Sequence, residues 1–228
     1  MITAFAEIEE RAGARHGGAK QLEAKLIEPL AKDEIASIAD DRWLSAFSKI
    51  VFQTGFNWRV IENKWPAFEQ SFGNFNLRYC AALSDEILEE KMKAGNIVKH
   101  WAKLDSIRGN AVFLLDLIEE HQTLGAFFAS WRAEDFADNI QLLKARGSRL
   151  GGRVGQIAMR RMGLDTLVLS ADVIGALAQA GSINKIPSSK KNWSLLQQTI
   201  EQWQAETGYS LNKLSQLLGL SYGDIYEH

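Results

Sequence analysis

Gln53-Thr54-Gly55-Phe56-Asn57-Trp58 separates two apolar runs of helical spacing, Trp43 to Phe52 before it and Trp58 to Phe72 after it. A glutamine, a helix-breaking glycine and a large apolar side chain at such a junction can enter a DNA duplex as a unit and fill the gap left by an extruded base. The structural alternative is an ordinary interhelical turn with Phe56 and Trp58 in the core, where apolar residues of this size usually reside.

Outward from this junction the chain reads as helix almost throughout. A length of 228 residues can bury a substantial core, 46% apolar and 24% charged residues fit a globular protein, and three prolines leave room for long helices. The single cysteine, Cys80, excludes an internal disulfide, and four scattered histidines offer no zinc-ligand spacing. No apolar run approaches the length of a membrane span, and the amino terminus lacks the order of a signal peptide. The expectation is one helical domain over residues 1–228, monomeric and cytoplasmic, with no membrane association, no metal and no cofactor.

Phe5 to Leu26 has the pattern of an amphipathic helix broken near Gly17-Gly18. Asp33 or Asp40 can cap the helix that runs to the junction, and Pro66 is placed to open a new helical turn beyond it. Ser84-Asp85-Glu86 is a helix start and Gly95-Asn96 a stop. Ile97 to His121 carries the longest apolar periodicity, about 36 Å if continuous. Two shorter helices, Gly125 to Trp131 and Phe136 to Ala145, lead into Gly147-Ser148-Arg149-Leu150-Gly151-Gly152 and a helix from Gly152 to Met162. Ser170-Ala171-Asp172 opens the next helix. Lys190 to Glu206 and Leu211 to Leu218 complete the chain.

Net charge is −2, yet no acid lies between Asp138 and Asp165, a window that holds Lys144, Arg146, Arg149, Arg153, Arg160 and Arg161. The glycine turn inside it presents backbone N–H groups at a helix start, where phosphates bind without reading bases. Close packing of a simple helical hairpin is the alternative use of the same glycines.

The order of these parts resembles the bacterial 3-methyladenine DNA glycosylase I family of the helix-hairpin-helix glycosylase superfamily. Gln53 to Trp58 is similar to its Gln-Ala-Gly-Leu-Ser-Trp, and Ile97-Val98-Lys99-His100, Lys103 and Gly109-Asn110-Ala111 match a second motif. The resemblance covers roughly Trp43 to Asp172. It implies an all-α, two-lobed fold and hydrolysis of the N-glycosidic bond of an alkylated adenine flipped from double-stranded DNA.

Carried over by position, Gln53, Gly55 and Phe56 form the plug and wedge, while Trp58, Ile50 and Asn57 face the base. Lys99, His100, Lys103, Arg149, Gly151, Gly152 and Arg153 meet phosphates. Asp172 is the candidate catalytic carboxylate, though an acid there also suits a helix start. Departures are visible: Ile50 replaces a glutamate that contacts the damaged base, the amino-terminal Tyr-His-Asp-x-Glu-Trp-Gly segment is missing, and Asp172 and Ala176 stand where two zinc ligands belong. The lesion accepted can therefore differ, and a DNA-binding homologue that cuts nothing is the alternative.

Overall fold

The computed structural model describes residues 2–223, and among them there are helices and turns but no strand. The architecture is all-α, and the chain divides into two compact units. The first comprises Met1–Leu30, Arg132–Asn139 and Gly163–His228; the second comprises Ala31–Trp131 and Ile140–Met162.

In the first unit, α1 (Phe5–Arg15) and α2 (Ala19–Glu23) are separated at Gly17 and Gly18, both with positive φ. They are joined by α12 (Ala171–Gln179), α13 (Lys190–Thr207) and α14 (Leu211–Leu220). Phe5 is fully buried edge-on to Trp203, with ring centroids 5.4 Å apart, and the Trp203 indole N–H donates to the Thr3 carbonyl at 2.9 Å. Backbone N–H of Phe5 donates to Glu206 at 2.9 Å, and the Tyr209 hydroxyl donates to Glu9 at 3.0 Å. Sequence-distant ends are thus held by aromatic packing and by hydrogen bonds between α1 and the last two helices.

The second unit contains α3 (Lys32–Ala36), α4 (Asp40–Gln53), α5 (Trp58–Ser71), α6 (Leu77–Ala81), α7 (Asp85–Ala94), α8 (Trp101–His121), α9 (Leu124–Ala129), all but the first turn of α10 (Phe136–Arg146), and α11 (Arg153–Arg161). Helix α8 buries residues on several faces, including Leu104, Ile107, Ala111, Leu114 and Leu117, and packs against α4, α6 and α9. A run of near-parallel rings, Trp65, Phe68, Phe72 and Phe75, fills the space beside α4.

Three expected boundaries are corrected. Helix α8 begins at Trp101 and not Ile97, because His100 is extended, at φ −151° and ψ 96°. Pro66 does not open a helix; it lies inside α5, where it lacks the N–H that would bond the Glu62 carbonyl. Asp40 is the first residue of α4 and not its cap, and its carboxylate instead accepts the Leu124 N–H at 3.1 Å, holding the start of α9.

Two outcomes test this packing. Phe5→Ala should lower unfolding free energy by about 3–5 kcal/mol in a denaturant titration, the cost of emptying a closed aromatic site. Burial pushes the Cys80 thiol up to about 12, so the folded protein should resist thiol-specific alkylation at pH 8 and react after denaturation.

Candidate nucleic-acid interface and base site

Helix α4 ends at Gln53, Thr54 follows in extended conformation, and Gly55 takes φ +78°, a region that strains residues with a Cβ. Asn57 then caps α5, its side-chain oxygen accepting the Arg59 N–H at 2.9 Å. The turn leaves two large apolar groups outside the core: Phe56 is 36% exposed and Trp58 is 58% exposed. With Asn57 and Arg59 they line an open hollow of about 440 Å³. The alternative of a buried turn is therefore not the one adopted.

Lys103 of α8 fixes this loop. It is 5% exposed, and its ammonium donates to the carbonyls of Phe52, at 3.3 Å, and Thr54. It also stands 4.5 Å from the Phe56 ring centroid. Helix ends leave carbonyls without partners and carry partial negative charge, so one cation satisfies both demands. Burial, and then the nearby Arg149 charge, hold the Lys103 pKa below its ordinary value. Lys103 is thus a loop clamp, a correction to its expected place on a phosphate.

A second set of contacts holds Gln53. Its amide oxygen accepts from Arg161 at 2.5 Å, and its amide nitrogen donates to Glu62 at 2.7 Å. The other Glu62 oxygen pairs with Lys49 at 3.1 Å. The Arg161 guanidinium lies 5.0 Å from the Trp58 ring centroid, and burial lowers its pKa, an effect the Glu62 charge opposes. Neither Glu62 nor Arg161 was singled out as a site residue from sequence. Arg161 was visible only as one of six basic residues, and Glu62 only as the residue four after Trp58, one helical turn along the same face.

The glycine turn between α10 and α11 is pinned to α8. Ser148 donates its N–H to the Asn110 side chain at 2.8 Å and accepts from that amide at 3.0 Å. A Cβ on Gly109 would lie 3.1 Å from the Ser148 Cβ, which gives Gly109-Asn110 a packing reason that the sequence did not reveal. Gly152 adopts φ +60° and ψ −137°, a conformation open essentially to glycine alone, and α11 starts behind it without a side-chain cap. Arg149 is exposed, but its Nε donates to the Ala102 carbonyl at 3.0 Å. Arg153 is exposed and Gly151 half-buried. Arg146 is spent on a two-bond pair with Glu120 at 2.8 and 2.9 Å, so the basic window is less positive than its composition implies.

Lys99 is exposed, whereas His100 is half-buried with its ring edge-on to Phe56 at 6.0 Å. Ile50 is 4% exposed in the core and does not line the hollow, a correction to its placement beside the base. Asp172 belongs to the first unit, in the first turn of α12, where Ser170 is the cap. Among the described residues no group of three or more His, Cys, Asp or Glu side chains could hold a metal ion.

The methyladenine glycosylase family model matches residues 38–147. Over these residues the chain is similar to the methyladenine glycosylase family. The match covers just under half of the chain and includes the Gln53–Trp58 loop, Lys103 and Gly109-Asn110, and it ends at the first glycine of the turn. No curated protein matches. Two solved structures are similar. A crystal structure of 3-methyladenine DNA glycosylase I is 18% identical, over 55% of this chain and 78% of that one, with a TM-score of 0.46. The 8-oxoguanine glycosylase/lyase of Methanocaldococcus jannaschii, solved with a 15mer DNA containing 8-oxoguanine, is 14% identical over 93% of this chain and 95% of that one, with a TM-score of 0.51. The second likeness is one of helical fold across nearly the whole chain.

Lys103→Met should leave the loop carbonyls without a donor, at a cost of roughly 1–3 kcal/mol. Hydrogen exchange at Gly55, Phe56 and Asn57 should accelerate more than exchange within α8; equal protection in the variant would remove the clamp role.

Proposed function

We propose that the protein is a base-excision DNA glycosylase that hydrolyses the N-glycosidic bond of an alkylated purine, 3-methyladenine being the model substrate. The single observation that carries the reading is Trp58, a large aromatic group left open to solvent on a loop that a buried lysine holds rigid. An exposed indole of this kind is a platform for an electron-poor, positively charged base.

On this reading the duplex docks through phosphate contacts at the glycine turn, where the α11 amides and Arg153 meet the backbone. Phe56 wedges into the helix and Gln53 follows into the vacated stack. The extruded base lies on Trp58. The bond between the sugar C1′ and the purine nitrogen then breaks with its electron pair going to the base, which neutralises the positive charge of a 3-methylated adenine. Water forms the new bond to C1′ and loses a proton. A cationic base already leaves readily, so positioning and exclusion of water supply most of what the reaction needs. Arg149 braces α8 as well as the turn, whereas Arg153 is the cleaner phosphate candidate.

The test is release of 3-methyladenine and formation of abasic sites by the purified full chain on methylated duplex DNA. Trp58→Ala should lower release about tenfold or more, since stacking is worth roughly 1–3 kcal/mol per base, with little change in thermal stability or in binding to undamaged duplex. A protein that binds duplex and releases no base would be the non-cutting homologue. Arg153→Glu should weaken duplex binding for all sequences alike and reduce the salt slope by about one. An unchanged slope would take α11 out of the interface.

A further inference from the structure

We propose that Glu62 is the carboxylate that accommodates the positive charge of the base stacked on Trp58, and that Gln53 holds it aside until the plug is inserted. This inference rests on the glycosylase reading above and names the residue that sets which bases the site accepts.

Trp58 is the first residue of α5 and Glu62 lies one turn later, so both side chains leave the same side of the helix. The charge against the indole is cationic: Arg161 lies 5.0 Å from the ring centroid, while Lys49, on the preceding helix, stands over Trp65. A second cation stacked on that indole would be repelled by Arg161 unless an anion stood close by. Glu62 is the carboxylate tied into this set, through Gln53 at 2.7 Å and Lys49 at 3.1 Å, and while Gln53 is in place it lines a second hollow with Lys49 and Trp65 and not the one beside Trp58. Ile50, on the buried side of α4, supplies none.

The contact with Gln53 makes the arrangement conditional. In the free protein one Glu62 oxygen is occupied by the Gln53 amide nitrogen, while the Gln53 oxygen is held by Arg161. When Gln53 enters the duplex it leaves both partners. The freed Glu62 oxygen then accepts a hydrogen bond from the exocyclic amine of a flipped adenine, and the freed Arg161 is open to a phosphate. Insertion of the plug and completion of the pocket become one event, so until the plug inserts the Glu62 oxygen stays occupied.

The experiment compares Glu62→Gln, Glu62→Ala and Glu62→Asp with the unmutated chain on methylated duplex DNA, reading 3-methyladenine release at saturating enzyme. Glutamine keeps an acceptor for the Gln53 amide but not the charge; alanine keeps neither. If the charge is used, glutamine and alanine both lower release about tenfold or more while aspartate recovers most of it, and duplex affinity and melting temperature stay close to the unmutated values. If Glu62 only positions Gln53, glutamine keeps the full rate and alanine alone falls, which overturns the proposal. Unchanged release in all three overturns it equally. Absence of release from the unmutated chain is a different failure: it removes the glycosylase reading, and this assignment falls with it.

Discussion

A buried ammonium at the carboxyl end of a helix is the constraint on which the exposed site depends. Lys103 reaches from α8 to the carbonyls of Phe52 and Thr54, satisfying backbone acceptors at the end of α4. Because α8 is itself buried on several faces, its position is set by the core of the second unit. The loop from Gly55 to Trp58 therefore inherits a rigid anchor although its own side chains gain little from packing. An aromatic group can be held open to solvent only when something else pays its ordering entropy, and here the core does so through one lysine.

The same helix anchors the glycine turn. Asn110 binds both backbone groups of Ser148, and Gly109 allows the approach, so loop and turn are referred to one element two helical turns apart. Two surfaces proposed to act together on one duplex thereby keep a constant separation. That is a property a ligand of fixed helical geometry requires, and separate mobile loops could not supply it.

Electrostatics are organised locally and not by net charge. The chain carries −2 overall, and several basic residues of the acid-free window are spent internally: Arg146 on Glu120, Arg149 in part on the Ala102 carbonyl, and Arg161 on Gln53 and Trp58. Lys144 and Arg153, both exposed beside the glycine turn, and the start of α11, which has no side-chain cap, are left to meet an anionic partner. In the adjoining constellation one carboxylate, Glu62, stands against two cations, Lys49 and Arg161, and Gln53 bridges Glu62 to Arg161.

Much of this was legible in the sequence. Helical periodicity, the serine cap at Ser84, and stops at Gly55 and Gly95 are signals carried by neighbouring residues, and local backbone chemistry decides them. The Gln53–Trp58 loop and the Gly147–Gly152 turn were found the same way. Pro66 misled because a proline can be carried inside a helix that tertiary packing stabilises, and Ile97–His100 misled because apolar spacing does not record an extended residue before a helix start. What tertiary structure alone decided is which side chains meet: Lys103 with a loop 49 residues earlier, and Arg161 with Gln53 across 108 residues. Burial turned one expected phosphate ligand into a clamp, and proximity turned an unremarked glutamate and arginine into the surroundings of Trp58. Periodicity reports which face of a helix is apolar; only the packed chain determines what that face, and the polar residues beside it, will touch.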